Sequence, residues 1–145
     1  MNISVFYFVS LIFEAFSSVN NLGKIEEKNF LEYAHRRGWL EDKDQRFSGA
    51  ELSRRDAARI IHSFLQLELK QKDLPDIEPA LKLADIYTCH LCVNHIAQVF
   101  CRGIMTARQV ERDGIIYDIF DSLAGISEDD GKEIIKRTLD LCSSY

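Results

Sequence analysis

The sequence predicts an all-α domain of tandem helix–turn–helix units packed together, and three observations carry that expectation. Apolar residues recur at helical spacing in successive segments. Gly38 and Gly103 stand just past two of these segments, where a residue that takes positive φ at little cost ends a helix. Ser53 and Ser127 open two further segments, each with an acid three residues on, the pattern of a capped helix start. The 145 residues are 46% hydrophobic and 28% charged, enough apolar material for one domain with its own core.

In chain order, the first element is a hydrophobic segment over 1–24. Val5, Phe6, Val9, Ile12, Phe13 and Phe16 fall at helical spacing and predict a helix packed on the body. The alternative is a secretory leader, since Ala15-Phe16-Ser17 resembles a small-x-small cleavage site. Against it, no Lys or Arg precedes the apolar run, and Glu14 sits late in it. A functional leader implies an extracellular or cell-wall location; its absence implies a cytoplasmic one. The second element is a helix over Ile25–Arg37, with Phe30, Leu31 and Ala34 inward, ended by Gly38. Trp39-Leu40 packs back, and Asp42–Gly49 reads as a polar loop with one apolar residue, Phe47. From Ser53 a helix carries the stripe Ala57, Ile60, Ile61, Phe64 and Leu65. Lys70–Pro79 holds both prolines and is a connector. Ala84–Arg102 reads as a long helical region broken near Thr88. Asp113-Gly114 marks a turn, and Ile115–Phe120 is the one segment suited to a short strand. Ser127 starts the last helix, with Ile134, Ile135, Leu139 and Leu141 apolar.

Net charge is −5, which argues against general nucleic-acid binding. The longest apolar stretch, Ile3–Phe13, is too short to span a bilayer. Basic clusters occur only in the middle third, at Arg36-Arg37 and Arg54-Arg55, so an anionic partner is expected there.

The chain repeats itself. With Gly38 set against Gly103, Leu31 matches Ile96, Trp39-Leu40 matches Ile104-Met105, Phe47 matches Phe120, and Ser53-Arg54-Arg55-Asp56 matches Ser127-Glu128-Asp129-Asp130. The second copy is longer, with the extra residues expected within Thr106–Tyr117. A unit of two helices cannot bury its own apolar face and must stack on a neighbour.

This unit of helix, Gly turn, loop with one Phe, and Ser-Arg-x-Asp helix start resembles the S-layer homology (SLH) repeat. That family shows a Gly-Ile-Ile turn, a Phe-x-Pro loop and a Thr-Arg-Ala-Glu helix start. The first copy spans 25–69 and the second 74–142, the latter opened by Leu74-Pro75-Asp76-Ile77, similar to the family's Phe-x-Asp-Val; the expected SLH-like domain covers 25–145. The resemblance implies an all-helical fold, usually three repeats about a pseudo-threefold axis. It also implies non-covalent binding of anionic cell-wall polysaccharide. Two copies are evident rather than three, so residues before 25 read as a worn third unit, or the chain forms a homo-oligomer. The loop Phe47-Ser48-Gly49 lacks the proline. Glu128 stands where the family has Arg and would repel an anionic glycan.

The expected ligand-binding residues are therefore Ser53, Arg54, Arg55, Asp56 and Trp39. A helix N-terminus offers free N–H groups and partial positive charge. Arg54 adds a planar donor fork suited to a carboxylate such as a pyruvate ketal on a sugar, and Trp39 offers a stacking face. The competing reading is structural: Ser53 and Asp56 cap the helix, and Trp39 is core. Glycan binding thus stands beside a second reading, a protein-interaction or regulatory module that has lost glycan binding.

Cys89, Cys92 and His95 form the other constellation. Cys-x-x-Cys with a His three residues on places three metal-ligand types on one helix face. No second Cys-x-x-Cys accompanies it and Cys142 is isolated, so no zinc and no other cofactor is expected. Free or structural thiols, a disulfide staple and redox chemistry remain open, although a thioredoxin-like role would want a βαβ context. Catalysis is not expected. Gly-x-Ser-x-Gly, phosphate-loop and His-Glu-x-x-His patterns are absent. The calcium-like Asp42-x-Asp44 has Phe47 in place of the needed Gly and Ser53 in place of the final Glu.

Overall fold

A computed structural model describes residues 1–143. The last two positions of the domain expected over 25–145 lie outside the described residues. Seven α-helices are present among them: α1 (Val5–Ala15), α2 (Phe30–Arg37), α3 (Asp42–Arg46), α4 (Arg54–Leu67), α5 (Glu78–Leu81), α6 (Val93–Cys101) and α7 (Glu128–Ser143). Two antiparallel strands, β1 (Arg108–Arg112) and β2 (Ile115–Ile119), stand between α6 and α7. The fold is mostly helical, and the expectation of a purely helical domain is corrected by this hairpin. Its cause is local. Asp113 and Gly114 both take positive φ (53° and 79°), the two-residue turn whose twist suits a hairpin, and β-branched Val110, Ile115, Ile116 and Ile119 favour the extended strands beside it.

Several elements differ in extent from the sequence reading. The helix expected over Ile25–Arg37 is a 3₁₀ turn at Glu27–Asn29 leading into α2. Asp42–Gly49 is not all loop: α3 forms there because Asp44 accepts from the Glu41 N–H at 2.8 Å, closing a capping box. The region over Ala84–Arg102 is broken into 3₁₀ turns at Ile86–Thr88 and His90–Cys92, followed by α6. Gly38 and Gly103 do end helices, at φ 93° and 74°.

The core gathers on α1 and α4. Phe8, Val9 and Ile12 of α1 are fully buried, as are Ala57, Ile60, Ile61 and Phe64 of α4. Trp39 is fully buried among aromatic rings, with centroids 5.3 Å from Phe13 and 4.8 Å from Phe64. Phe13 also stacks on Phe30 at 4.1 Å, which fixes α2 against α1. No helix among the described residues is long and apolar enough to cross a membrane.

Three helices start in the same way. Ser4 Oγ accepts from Tyr7 N–H (3.1 Å), Ser53 Oγ from Asp56 N–H (3.2 Å) and Ser127 Oγ from Asp130 N–H (3.1 Å). The extended residues before them are laced together. Ile3 N–H donates to Ile126 O (2.8 Å), Leu52 N–H to Ile3 O (3.0 Å), and Ser53 bridges Gly125. The next donors repeat as well. Val5 and Phe6 give their N–H groups to Ala50 and Ser48 carbonyls, and Arg54 and Arg55 give theirs to Ala124 and Ser122. Ser48-Gly49-Ala50 therefore occupies the place relative to α1 that Ser122-Leu123-Ala124 occupies relative to α4. This geometry sets Phe47 opposite Asp121, not Phe120. Phe47 is 60% exposed whereas Phe120 is fully buried, so the match of Phe47 with Phe120 expected from sequence is corrected.

Candidate functional site

The start of α4 is where sequence reasoning placed anion binding, and its donors are already engaged. The first N–H groups of the helix, from Arg54, Arg55 and Asp56, are bonded to Ala124 O, Ser122 O and Ser53 Oγ. None is left for an incoming carboxylate. Arg54 is buried; its Nε donates to Phe120 O (2.8 Å), its Nη2 to Thr106 O, and its guanidinium lies 4.8 Å from the Phe120 ring centroid. Burial, with Arg108 nearby, lowers the pKa of Arg54 against the pull of Asp121, Asp130 and Asp85. Asp56 pairs with Lys43 (3.1 Å) and lies 3.5 Å from Arg59. Burial works to raise the Asp56 carboxyl, but Lys43, Arg59 and Ser53 outweigh it and hold the group below its ordinary value. Trp39 is inside the core and offers no face to a sugar. Of the five expected residues, Arg55 alone keeps a cationic side chain with neither an ion pair nor a side-chain hydrogen bond among the described residues. At α7 the first turn carries Glu128, Asp129 and Asp130, which repel an anion there.

The calcium-like pair is likewise committed. Asp44 is buried and receives two bonds from Arg59, at 2.8 and 2.9 Å. Burial opposes the charge on Arg59, yet Asp44, Glu41 and Asp56 keep its pKa above the usual value. Arg37, from the other basic cluster, grips Glu68 through both nitrogens of its fork.

An open groove of about 610 Å³ lies where the hairpin faces Ala84–Thr88 and Asp121–Leu123. In the paired register Val110 stands opposite Tyr117 and Arg112 opposite Ile115, so these residues share one sheet face with Ile119. That face lines the groove together with Leu123. Ile115 is 55% exposed and Leu123 74% exposed, a concentration of accessible apolar surface that single scattered residues do not make. Asp85 fixes the groove floor by accepting from Phe120 and Asp121 N–H groups at 2.7 and 2.8 Å. Arg108 pairs with Asp121 at 2.9 Å, leaving Arg112 at the rim with no ion pair among the described residues.

The outer edge of β1 is open. Beside a two-residue turn, Arg112 and Ile115 form a hydrogen-bonded pair, and bonding alternates from there. Gln109 and Glu111 are then non-bonded pairs with β2, so their N–H and C=O groups point away from it. The same alternation aims Asp118 C=O outward from β2, where Ala84 N–H meets it at 2.9 Å. No such partner meets Gln109 or Glu111 among the described residues.

Cys89, Cys92 and His95 do not come together as a ligand set. Cys89 and Cys92 form a disulfide, with Cα atoms 5.2 Å apart. His95 turns instead to His62, the two Nδ1 atoms sharing one proton at 2.8 Å, and His62 Nε2 donates to Asp73 at 2.7 Å. No group of three metal-ligating side chains suited to an ion occurs among the described residues. Burial, the adjacent His62 and Arg59 push His95 down from 6.5 to about 4, against the opposing pull of Asp73. The folded protein thus keeps His95 neutral where the unfolded chain takes up a proton. Stability is therefore expected to fall as pH drops from about 6.5 to about 4, by roughly 1–2 kcal/mol after solvent screening of a half-exposed ring. Urea melts across that range check it, and His95→Gln should flatten the dependence.

No protein-family model, curated protein or solved structure matches the chain. The groove and the histidine pair were both missed from sequence. The Asp-Gly turn between Val110-x-Arg112 and Ile115-x-Tyr117-x-Ile119 was the available sign of the groove. His62 and Asp73 belong to different elements and left no sign of their pairing.

Proposed function

We propose that the chain is a protein-interaction module on an SLH-like arrangement, and that it takes an extended polypeptide segment at the hairpin. The three Ser-capped helix starts, laced by main-chain bonds, support the SLH-like arrangement, with α1 as the third unit. One observation carries the choice of partner: an open strand edge, Gln109 and Glu111 of β1, beside an apolar groove. Alternating N–H and C=O groups recognise another peptide backbone, and pockets beside them select alternate side chains. A sugar has no such ladder to offer. Arg112 at the rim favours a segment carrying an acidic residue. The glycan reading loses ground because Arg54 and Trp39 are buried and the first N–H groups of α4 are bonded.

Glu111→Pro tests this directly. It deletes an outward N–H without removing a bond to β2. Peptides selected on the wild-type protein from a random-peptide display library should bind Glu111→Pro roughly tenfold more weakly, the effect of about one ladder bond in a desolvated site. Glu111→Ala should bind them as the wild type does. Failure to select any peptide, or equal binding by the proline variant, overturns the reading. Retention of the wild type on purified anionic cell-wall polysaccharide, lost in Arg55→Ala, would restore the glycan alternative.

A further inference from the structure

We propose that the Cys89–Cys92 disulfide is redox-active, exchanging with dithiols in the manner of a thiol–disulfide exchange site, with Cys89 as the attacked sulfur and the nucleophile. Its position in the helix is the first ground. The 3₁₀ turn His90–Cys92 runs directly into α6, so residues 90–101 form one continuous helical stretch, and Cys89, in extended conformation (φ −137°, ψ 105°), is its N-cap. Cys92 lies three residues on. A thiolate at Cys89 would meet the outward N–H groups of the first turn, those of His90 and Leu91 having no partner among the described residues. That is the environment in which a thiol ionises more readily.

Accessibility is the second ground and separates the two sulfurs. Both cysteines are half-buried, but Cys92 packs against the hydrophobic core and Cys89 does not. The chain around Cys89 is open: Tyr87 is 56% and Leu91 91% exposed, and the apolar groove at the hairpin reaches Thr88, its immediate neighbour. A partner polypeptide lying in that groove would bring its own cysteine beside Cys89. Cys101 and Cys142 are not joined in a disulfide, and burial raises the thiol of Cys142, so neither has the setting of Cys89.

The exchange balances as follows. A thiolate of an external dithiol attacks Cys89 Sγ; the Cys89–Cys92 bond breaks, and Cys92 leaves as a thiolate that takes a proton from water. The second thiolate of the reductant then attacks its own sulfur in the mixed disulfide and releases Cys89. Two electrons pass from the dithiol to the protein, and the dithiol ends as a disulfide. Run in reverse, the oxidised protein is restored by a disulfide-bearing partner. This chemistry requires the helix start and an accessible sulfur, not the sheet of a thioredoxin-like fold.

The test uses the full chain under native conditions. Dithiothreitol without denaturant should open the disulfide, and iodoacetamide at neutral pH should then alkylate Cys89 roughly tenfold faster than Cys101 or Cys92, measured by peptide mass spectrometry. Cys92→Ser, treated with a chromogenic aromatic disulfide, should retain the aromatic thiol on Cys89 as a stable mixed disulfide. Resistance of the native disulfide to dithiothreitol, or alkylation of Cys89 no faster than Cys101, overturns the proposal without recourse to any variant. Dithiothreitol and iodoacetamide are small reagents that need no peptide in the groove, so these rates report the exchange chemistry apart from peptide binding.

Discussion

Replacing Arg37 by Ala should be among the most destabilising changes in the chain, at about 3–5 kcal/mol, because it strands a buried carboxylate. The Glu68 side chain has no exposure, and both its oxygens are held by Arg37, with Nε–Oε1 at 2.8 Å and Nη2–Oε2 at 2.9 Å. Glu68 is the residue on which α4 ends, and its carbonyl also accepts from Asn20. One ion pair therefore ties the end of α2 to the end of α4 across the chain that follows α1. Arg37 is partly exposed, so little of the cost is lost packing; most is the desolvated charge left behind. The double variant Arg37→Ala, Glu68→Gln separates the two contributions. It should recover much of the loss in a urea melt, since a neutral amide costs less to bury than a carboxylate. A single variant as stable as the wild type would show that Glu68 reaches water by rearrangement.

The pair shows why a basic cluster was a poor guide to ligand binding. Each of Arg36-Arg37 and Arg54-Arg55 commits one arginine to acceptors far away in sequence: Glu68 for Arg37, and the Thr106 and Phe120 carbonyls for Arg54. Local chemistry was legible. Ser53 and Ser127 cap helices, and Gly38 and Gly103 end them, because caps and left-handed residues are set by a few neighbouring atoms. The first helix start escaped notice because Ser4 is followed by Tyr7 rather than an acid, and α1 is apolar enough to be taken for a leader. The hairpin was half legible. Asp113-Gly114 was a turn sign, but Arg-Gln-Val-Glu-Arg has too little apolar alternation to announce a strand, and β1 exists because β2 supplies its ladder. Sites built from main-chain carbonyls, such as the one Arg54 fills, carry no side-chain signature.

Arg54→Ala should destabilise the domain by about 3 kcal/mol or more, which reverses the natural expectation for an arginine in the first turn of a helix. Such a residue ordinarily points to solvent, and its removal is ordinarily neutral. Here the side chain is 5% exposed and crosses from the start of α4 to the two ends of the hairpin segment, Thr106 before β1 and Phe120 after β2. A charged donor bonded to a buried carbonyl contributes about 1.5–3 kcal/mol, and each acceptor left bare carries its own desolvation cost. The contact with the Phe120 ring adds to this. Arg54→Lys should rescue little, because one ammonium on a flexible stem cannot reproduce a planar fork spanning two carbonyls. The readout that distinguishes a hairpin anchor from a general core residue is local. Hydrogen exchange in the variant should rise first at Arg108–Arg112 and Ile115–Ile119, with α1 and α2 retaining more of their protection. Uniform loss of protection across the chain would assign Arg54 to the core as a whole. A wild-type melting curve would show that the two carbonyls find water on their own and that Ala84, Asp85 and Arg108 hold the hairpin without Arg54.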